Sequence, residues 1–155
     1  MRNIIRSINA LLAALNITIL AIIVACVTWQ VAARFIFTSP SIFTDELSRL
    51  LFICLGLFGG AYTAGQNRHL AIDLLPMMLK GKARRHLFLC IVIIFATIIM
   101  VYGGGLLTMD TFDSGQTSPA LGWQMGYIYM SIPISGVLII IYTIDMVLTE
   151  LKQPL

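Results

Sequence analysis

The side chains from which a reactive centre could be built are few: three cysteines, two histidines and seven acids. Cys26, Cys54 and Cys90 lie far apart, each inside a long apolar run, and form no C-x-x-C pair for dithiol redox chemistry. Their setting predicts small apolar packing residues. His69 and His86 flank a short segment without the spacing of a metal or haem site. No catalytic, cofactor-binding or metal-binding residue is assigned. An ion-coupled transporter acting alone needs an ionisable group near mid-membrane, where it costs roughly 2.5–3.5 kcal/mol on insertion scales and so marks an ion path. Asp110 and Asp145 lie near the ends of apolar runs instead, as do Arg34 and Arg49. The residues predict a chemistry of contact, and the chain reads as a non-enzyme.

Those residues are positioned by unusually apolar elements. Of 155 residues, 59% are hydrophobic and 11% charged, against roughly 45–50% and 25% in soluble domains. Mean hydropathy is +0.93. So few charges cannot cover the surface of a water-soluble fold, and so much apolar material excludes a disordered chain. Charge-free stretches run over 7–33, 50–67, 87–109 and 114–144. A helix rises about 1.5 Å per residue, so roughly 20 residues cross the hydrocarbon. The last stretch opens with the loop-forming run 114–122 and holds one span. The reading is an all-α membrane protein: a single four-helix transmembrane domain over 1–155, with spans near 9–33, 46–66, 86–109 and 123–148. Helices are required because lipid offers no partner to unpaired backbone groups. The first span exceeds a signal-peptide core, and no small-residue cleavage site follows it before Arg34, so it is expected to be retained. Within it, Asn16, Thr18, Thr28 and Gln30 could hydrogen-bond to another helix.

Arg2, Arg6, Arg68, Lys80, Lys82, Arg84, Arg85 and Lys152 fall on one side of these spans, and only Arg34 and Arg49 on the other. That asymmetry predicts both termini in the cytoplasm (N-in/C-in), with loops 34–45 and 110–122 facing outward. The net charge of +3 therefore reports topology and not nucleic-acid binding. The loop 67–86 is apolar first and basic after. It predicts a short interfacial helix starting near Pro76, with Lys80, Lys82, Arg84 and Arg85 at anionic headgroups. A plain topology-setting loop is the other reading.

Three further groups are candidates for contact. Thr44 suits a helix N-cap, with Asp45 and Glu46 in the first turn of span two. Arg49 lies at i+4 from Asp45 and i+3 from Glu46. The four charges Arg34, Asp45, Glu46 and Arg49 form either a local ion pair on a capped helix or an outer polar patch for a partner. Gly56, Gly60 and Ala64, at four-residue spacing, make a groove for close helix approach, by the chain's own spans or by a partner. Trp123, Tyr127 and Tyr129 form an aromatic belt anchoring span four at the outer interface. Gly103-Gly-Gly105 marks a local weakening of span three.

With these segments in view, the chain resembles the small membrane (Q) subunit of tripartite ATP-independent periplasmic (TRAP) transporters. The likeness rests on Arg34-Phe35 closing span one, Thr44-Asp-Glu-Leu-Ser-Arg49 opening span two, His69-Leu-Ala-Ile-Asp73 after it, and Ser118-Pro-Ala-Leu121 before an aromatic-rich span four containing Pro133. It covers nearly the whole chain and departs from the family pattern at Trp123-Gln124-Met125. The resemblance implies a bacterial inner-membrane location and a trio. A periplasmic substrate-binding protein captures an organic acid such as a dicarboxylate, sialic acid or another sugar acid. A large membrane subunit moves it inward with sodium. The small, non-catalytic subunit braces the large one and helps dock the binding protein. Sodium and substrate then belong to the partners, and lipids surround this chain. Arg34, Asp45, Glu46 and Arg49 become candidates for the docking patch. The competing readings are a self-sufficient small homo-oligomeric transporter or channel, and a membrane redox enzyme, against which the cysteine spacing speaks.

Overall fold

The computed structural model describes residues 2–36, 41–66 and 82–151. Within them the chain forms helices joined by one structured loop, and four helices are long and apolar enough to cross a membrane. The first is α1, Arg2–Phe35, and the second is α2, Ile42–Gly65. The third span is a composite: α3, Lys82–Phe95, passes into a π-helical segment, Ala96–Gly103, and continues as α4, Gly104–Asp113. After the loop come a single turn, α5, Gly126–Tyr129, and the fourth long helix, α6, Ser131–Leu151.

The helices begin and end for local reasons. α2 starts earlier than Thr44: Ser41 is its N-cap, in extended conformation, with no side-chain cap bond. The Thr44 hydroxyl donates back to the Ser41 carbonyl at 3.2 Å, so Thr44 is a first-turn residue and not the cap. The break between α5 and α6 follows from Pro133. Proline has no N–H to offer the Tyr129 carbonyl four residues back, yet it is tolerated in the first turn of the helix that resumes at Ser131.

Several polar side chains in the first span donate to their own helix, whereas the buried Tyr142 hydroxyl in α6 has no hydrogen-bond partner among the described residues. Thr18 donates to the Ala14 carbonyl at 2.9 Å, Thr28 to Val24 at 2.7 Å, and Asn16 to Leu12 at 2.9 Å. This is the cheapest solution where no water is available. Of the polar residues expected to reach from span one to another helix, Gln30 does so, donating to Ser48 Oγ at 3.1 Å. Asn9 also crosses, donating to the Gly65 carbonyl at 3.4 Å.

Packing runs in a row. α1 lies on α2, α2 on α6, and α6 on the third span; no extended packing joins α1 or α2 directly to the third span among the described residues. The core is correspondingly thin. Leu12, Ala64 and Tyr142 form its buried centre, flanked by Ile8, Phe58 and Leu138. Within each span's most apolar window, between 17% and 33% of residues are buried inside the chain. The row therefore leaves two broad apolar faces for lipid or other helices.

Candidate functional site

Two places on this row carry information about function: the end formed by the start of α2 and the loop before α5, and the helix faces where glycines lie.

At the loop end, the four charges nominated by the sequence separate. Asp45 and Arg49 pair along one helical face at 3.1 Å, with side chains 59% and 75% exposed. A pair so open to solvent stabilises by less than about 1 kcal/mol. Glu46, one residue on, is half-buried and turns away from that pair. Its Oε2 accepts a hydrogen bond from the Ala120 backbone N–H at 2.6 Å, across 74 residues of sequence. Arg34, exposed at the last turn of α1, makes no ion pair with Asp45 or Glu46 among the described contacts. Two of the quoted motifs, Thr44–Arg49 and Ser118–Leu121, are thus joined in space through one bond.

The loop that Glu46 holds is built as a tight double-backed turn. Ser118 N–H donates to the Trp123 carbonyl at 2.8 Å, Gly122 N–H to Ser118 at 2.8 Å, and Met125 N–H to Gln116 at 2.9 Å. Gly122 sits at φ +66°, a left-handed conformation that closes the turn and that other residues adopt only with strain. Ser118 is 2% exposed. Phe112 packs its ring over Gly126, where any Cβ would fall 2.8 Å from the ring, and meets Tyr127 edge-on at a centroid distance of 5.2 Å. Of the expected aromatic belt, Trp123 and Tyr127 are exposed and Tyr129 is half-buried.

The small-residue stripe of α2 divides. Ala64 is buried against Leu12 and Tyr142. A Cβ built on Gly56 or Gly60 would meet nothing within 4 Å, so these two open onto the unfilled face of the row. The glycines that permit close approach inside the chain are others. At Gly65 a Cβ would lie 2.5 Å from Asn9 Oδ1 and 2.7 Å from Tyr142 Cζ. At Gly104 it would lie 2.6 Å from Ile132 Cγ2, and at Gly136 2.7 Å from Met100 Cβ. Gly104 and Gly136 face each other's helices where the π-helical segment crosses α6. The departure from α-helix lies before the expected 103–105: a widened π turn runs over 96–103, and Gly104 and Gly105 are α-helical. Sequence reasoning missed Gly65, Gly126 and Gly136. The available signal was cost, since a glycine inside a helix loses about 1 kcal/mol relative to alanine and so calls for a packing reason. Lys80 and the expected interfacial helix lie outside the described residues; Lys82, Arg84 and Arg85 stand at the start of α3. No group of three or more His, Cys, Asp or Glu side chains is placed to hold a metal ion among the described residues.

A family model for the DctQ component of tripartite ATP-independent periplasmic transporters matches residues 23–153. This chain belongs to that family. The resemblance read from its four motifs is the correct one, and the chain is a transport component, not an enzyme. With four apolar helices it is a multi-pass protein of the inner membrane. Curated relatives agree. The sialic acid TRAP transporter small permease protein SiaQ of Vibrio cholerae is 27% identical over 98% of this chain and 86% of its own length. The ectoine TRAP transporter small permease protein TeaB of Halomonas elongata is 29% identical over 68% of this chain and 55% of its own. The sialic acid TRAP transporter permease protein SiaT of Haemophilus influenzae is 28% identical over 80% of this chain, a match that occupies 20% of that longer protein.

Proposed function

We propose that this DctQ-family chain is the non-catalytic scaffold of a three-part uptake system. It braces a large, sodium-coupled membrane subunit and helps position a periplasmic substrate-binding protein. Both termini face the cytoplasm, because Lys and Arg concentrate in the terminal segments and the 67–86 loop. The loop end bearing Glu46 and Ala120 then faces the periplasm. The cargo is a small carboxylate-bearing solute, the chemistry shared by the sialic acid and ectoine for which two relatives are named; partner subunits choose it.

The observation that carries this reading is the open row of helices. A four-span protein that works alone buries its polar business inside a bundle, whereas this row has a thin core and two apolar faces. Gly56 and Gly60 open onto one of them. Small residues there let a partner helix approach closely, which is how helices associate where lipid removes the hydrophobic drive. The match to one fifth of a longer permease supports the same arrangement, with a DctQ-like stretch present beside a larger unit in one polypeptide.

The test is purification of the chain, tagged at Leu155, from its native membranes in mild detergent. A much larger polytopic permease is expected in about one-to-one ratio. Gly56→Leu should insert and fold normally, since a Cβ there has nothing within 4 Å, but should lose most of that permease. A chain that purifies as a lone homo-oligomer, or a Gly56→Leu variant that retains its partner at the normal ratio, would refute the proposed face.

A further inference from the structure

We infer that Glu46 is a positioning residue: its carboxylate latches the 116–125 loop onto α2 and so holds rigid the surface that the soluble, substrate-carrying component meets. The inference rests on the scaffold reading above and names the surface and the residue that shapes it.

The geometry separates Glu46 from its charged neighbours. Asp45 is spent on Arg49 in open solvent. Glu46 lies half-buried and reaches the loop at 2.6 Å. The loop supplies the matching donor. Pro119 has no N–H, and the following N–H, that of Ala120, points out of the turn instead of closing it. The turn closes through its other groups: Gly122 N–H to Ser118, Ser118 N–H to Trp123 and Met125 N–H to Gln116. A backbone so internally satisfied is stiff, and Glu46 ties that stiff unit to a transmembrane helix.

What the latch displays is a compact surface: Thr117, Pro119 and Gly122 are exposed, and Trp123 is 54% exposed. Residues 110–125 contain Asp110 and Asp113 but no Lys or Arg. That composition suits a protein partner better than anionic headgroups, which favour basic segments. A lipid anchor needs an aromatic side chain at the right depth and no fixed backbone. A recognition surface gains from rigidity, because a preordered loop loses less conformational freedom on binding. An exposed tryptophan beside a proline and a left-handed glycine is the kind of rigid feature that anchors a protein contact.

The test uses the complete transporter with three forms of this chain: wild type, Glu46→Ala and Glu46→Gln. Glutamine keeps an acceptor oxygen at the same reach but removes the charge. Backbone amide exchange over 116–125 is measured by mass spectrometry on the purified complex, and uptake is measured in liposomes as the soluble component is titrated. In the alanine variant, exchange should quicken about ten- to hundredfold, as expected for loss of a bond to a charged acceptor. The concentration of soluble component giving half-maximal uptake should rise by roughly fivefold or more as the loop loses its preordered shape. The glutamine variant should fall between wild type and alanine in both readings, because it keeps an acceptor but a neutral bond is about half as strong as a charge-assisted one. This partial retention also guards against an alanine variant that fails to fold. Unchanged exchange in the alanine variant would overturn the latch. A glutamine variant as defective as alanine would overturn it in favour of a direct charge contact. Faster exchange with an unchanged half-maximal concentration would overturn the role in meeting the soluble component. Failure of the scaffold reading shows separately, as a wild-type chain that carries no large permease.

Discussion

Replacing Gly136 by alanine should destabilise this protein, while the same change at Gly56 should not. The two glycines occupy the interiors of different spans, and each substitution gains about 0.8–1 kcal/mol of helix propensity. Their surroundings decide the sign. A Cβ at Gly136 would lie 2.7 Å from Met100 Cβ, 3.1 Å from Val101 Cγ2 and 3.4 Å from the Ala96 carbonyl oxygen. Met100 Cβ is fixed to its backbone and cannot swing aside, so α6 must move away from the π-helical segment. Overpacking of this kind costs about 1–3 kcal/mol, leaving a net loss of up to roughly 2 kcal/mol after the propensity gain. At Gly56 nothing lies within 4 Å and the gain stands alone. The propensity gain is common to both, so the variants differ by the overpacking cost. With about 2–4 °C per kcal/mol for a chain of this size, Gly136→Ala should melt roughly 2–12 °C below Gly56→Ala. The assay is the loss of the monodisperse peak on size-exclusion chromatography after heating the purified chain in mild detergent. A Gly136→Ala variant that melts at or above Gly56→Ala would refute the idea that close approach of α6 to the third span limits stability.

Two further outcomes are expected. Arg49→Glu reverses an exposed charge and breaks a pair worth less than about 1 kcal/mol, so insertion and melting should change little. If the exposed pair belongs to the docking patch, uptake by the complete transporter should fall, and unchanged uptake would remove Arg49 and Asp45 from that patch. Replacing Cys26, Cys54 and Cys90 together by alanine or serine should leave uptake largely intact, because the three free thiols are spread over three helices without a redox partner; clear loss in a folded triple variant would revive the redox reading.

The broad architecture was legible in the sequence because the bilayer imposes it. Charge-free runs of about 20 residues, with no strand alternation, leave only membrane-crossing helices once every backbone group must be satisfied internally. Family membership was legible for a related reason: Arg34, Thr44–Arg49, Ser118–Leu121 and Pro133 stand in order at span boundaries, where polar residues are scarce and so distinctive. Pro133 also marks its own break, since a missing N–H acts wherever the residue stands.

Other features depended on the third dimension. Asp45 and Glu46 are adjacent acids within helical reach of the same Arg49, and one-dimensional spacing cannot choose between them. The fold chooses, giving Arg49 to Asp45 and Glu46 to Ala120, because only the packed row brings the 116–125 loop over the start of α2. The glycines follow the same rule. Spacing at i and i+4 selected Gly56, Gly60 and Ala64, but spacing fixes a shared face without saying what that face meets. Along that one face the surroundings change: Ala64 is buried against Leu12 and Tyr142, and nothing lies within 4 Å of a Cβ on Gly56 or Gly60. Gly65, Gly104 and Gly136 hold the close crossings. Hydropathy and charge act residue by residue and so can be read along the chain; contact depends on how each helix is rotated and placed against its neighbours, which only the assembled row decides.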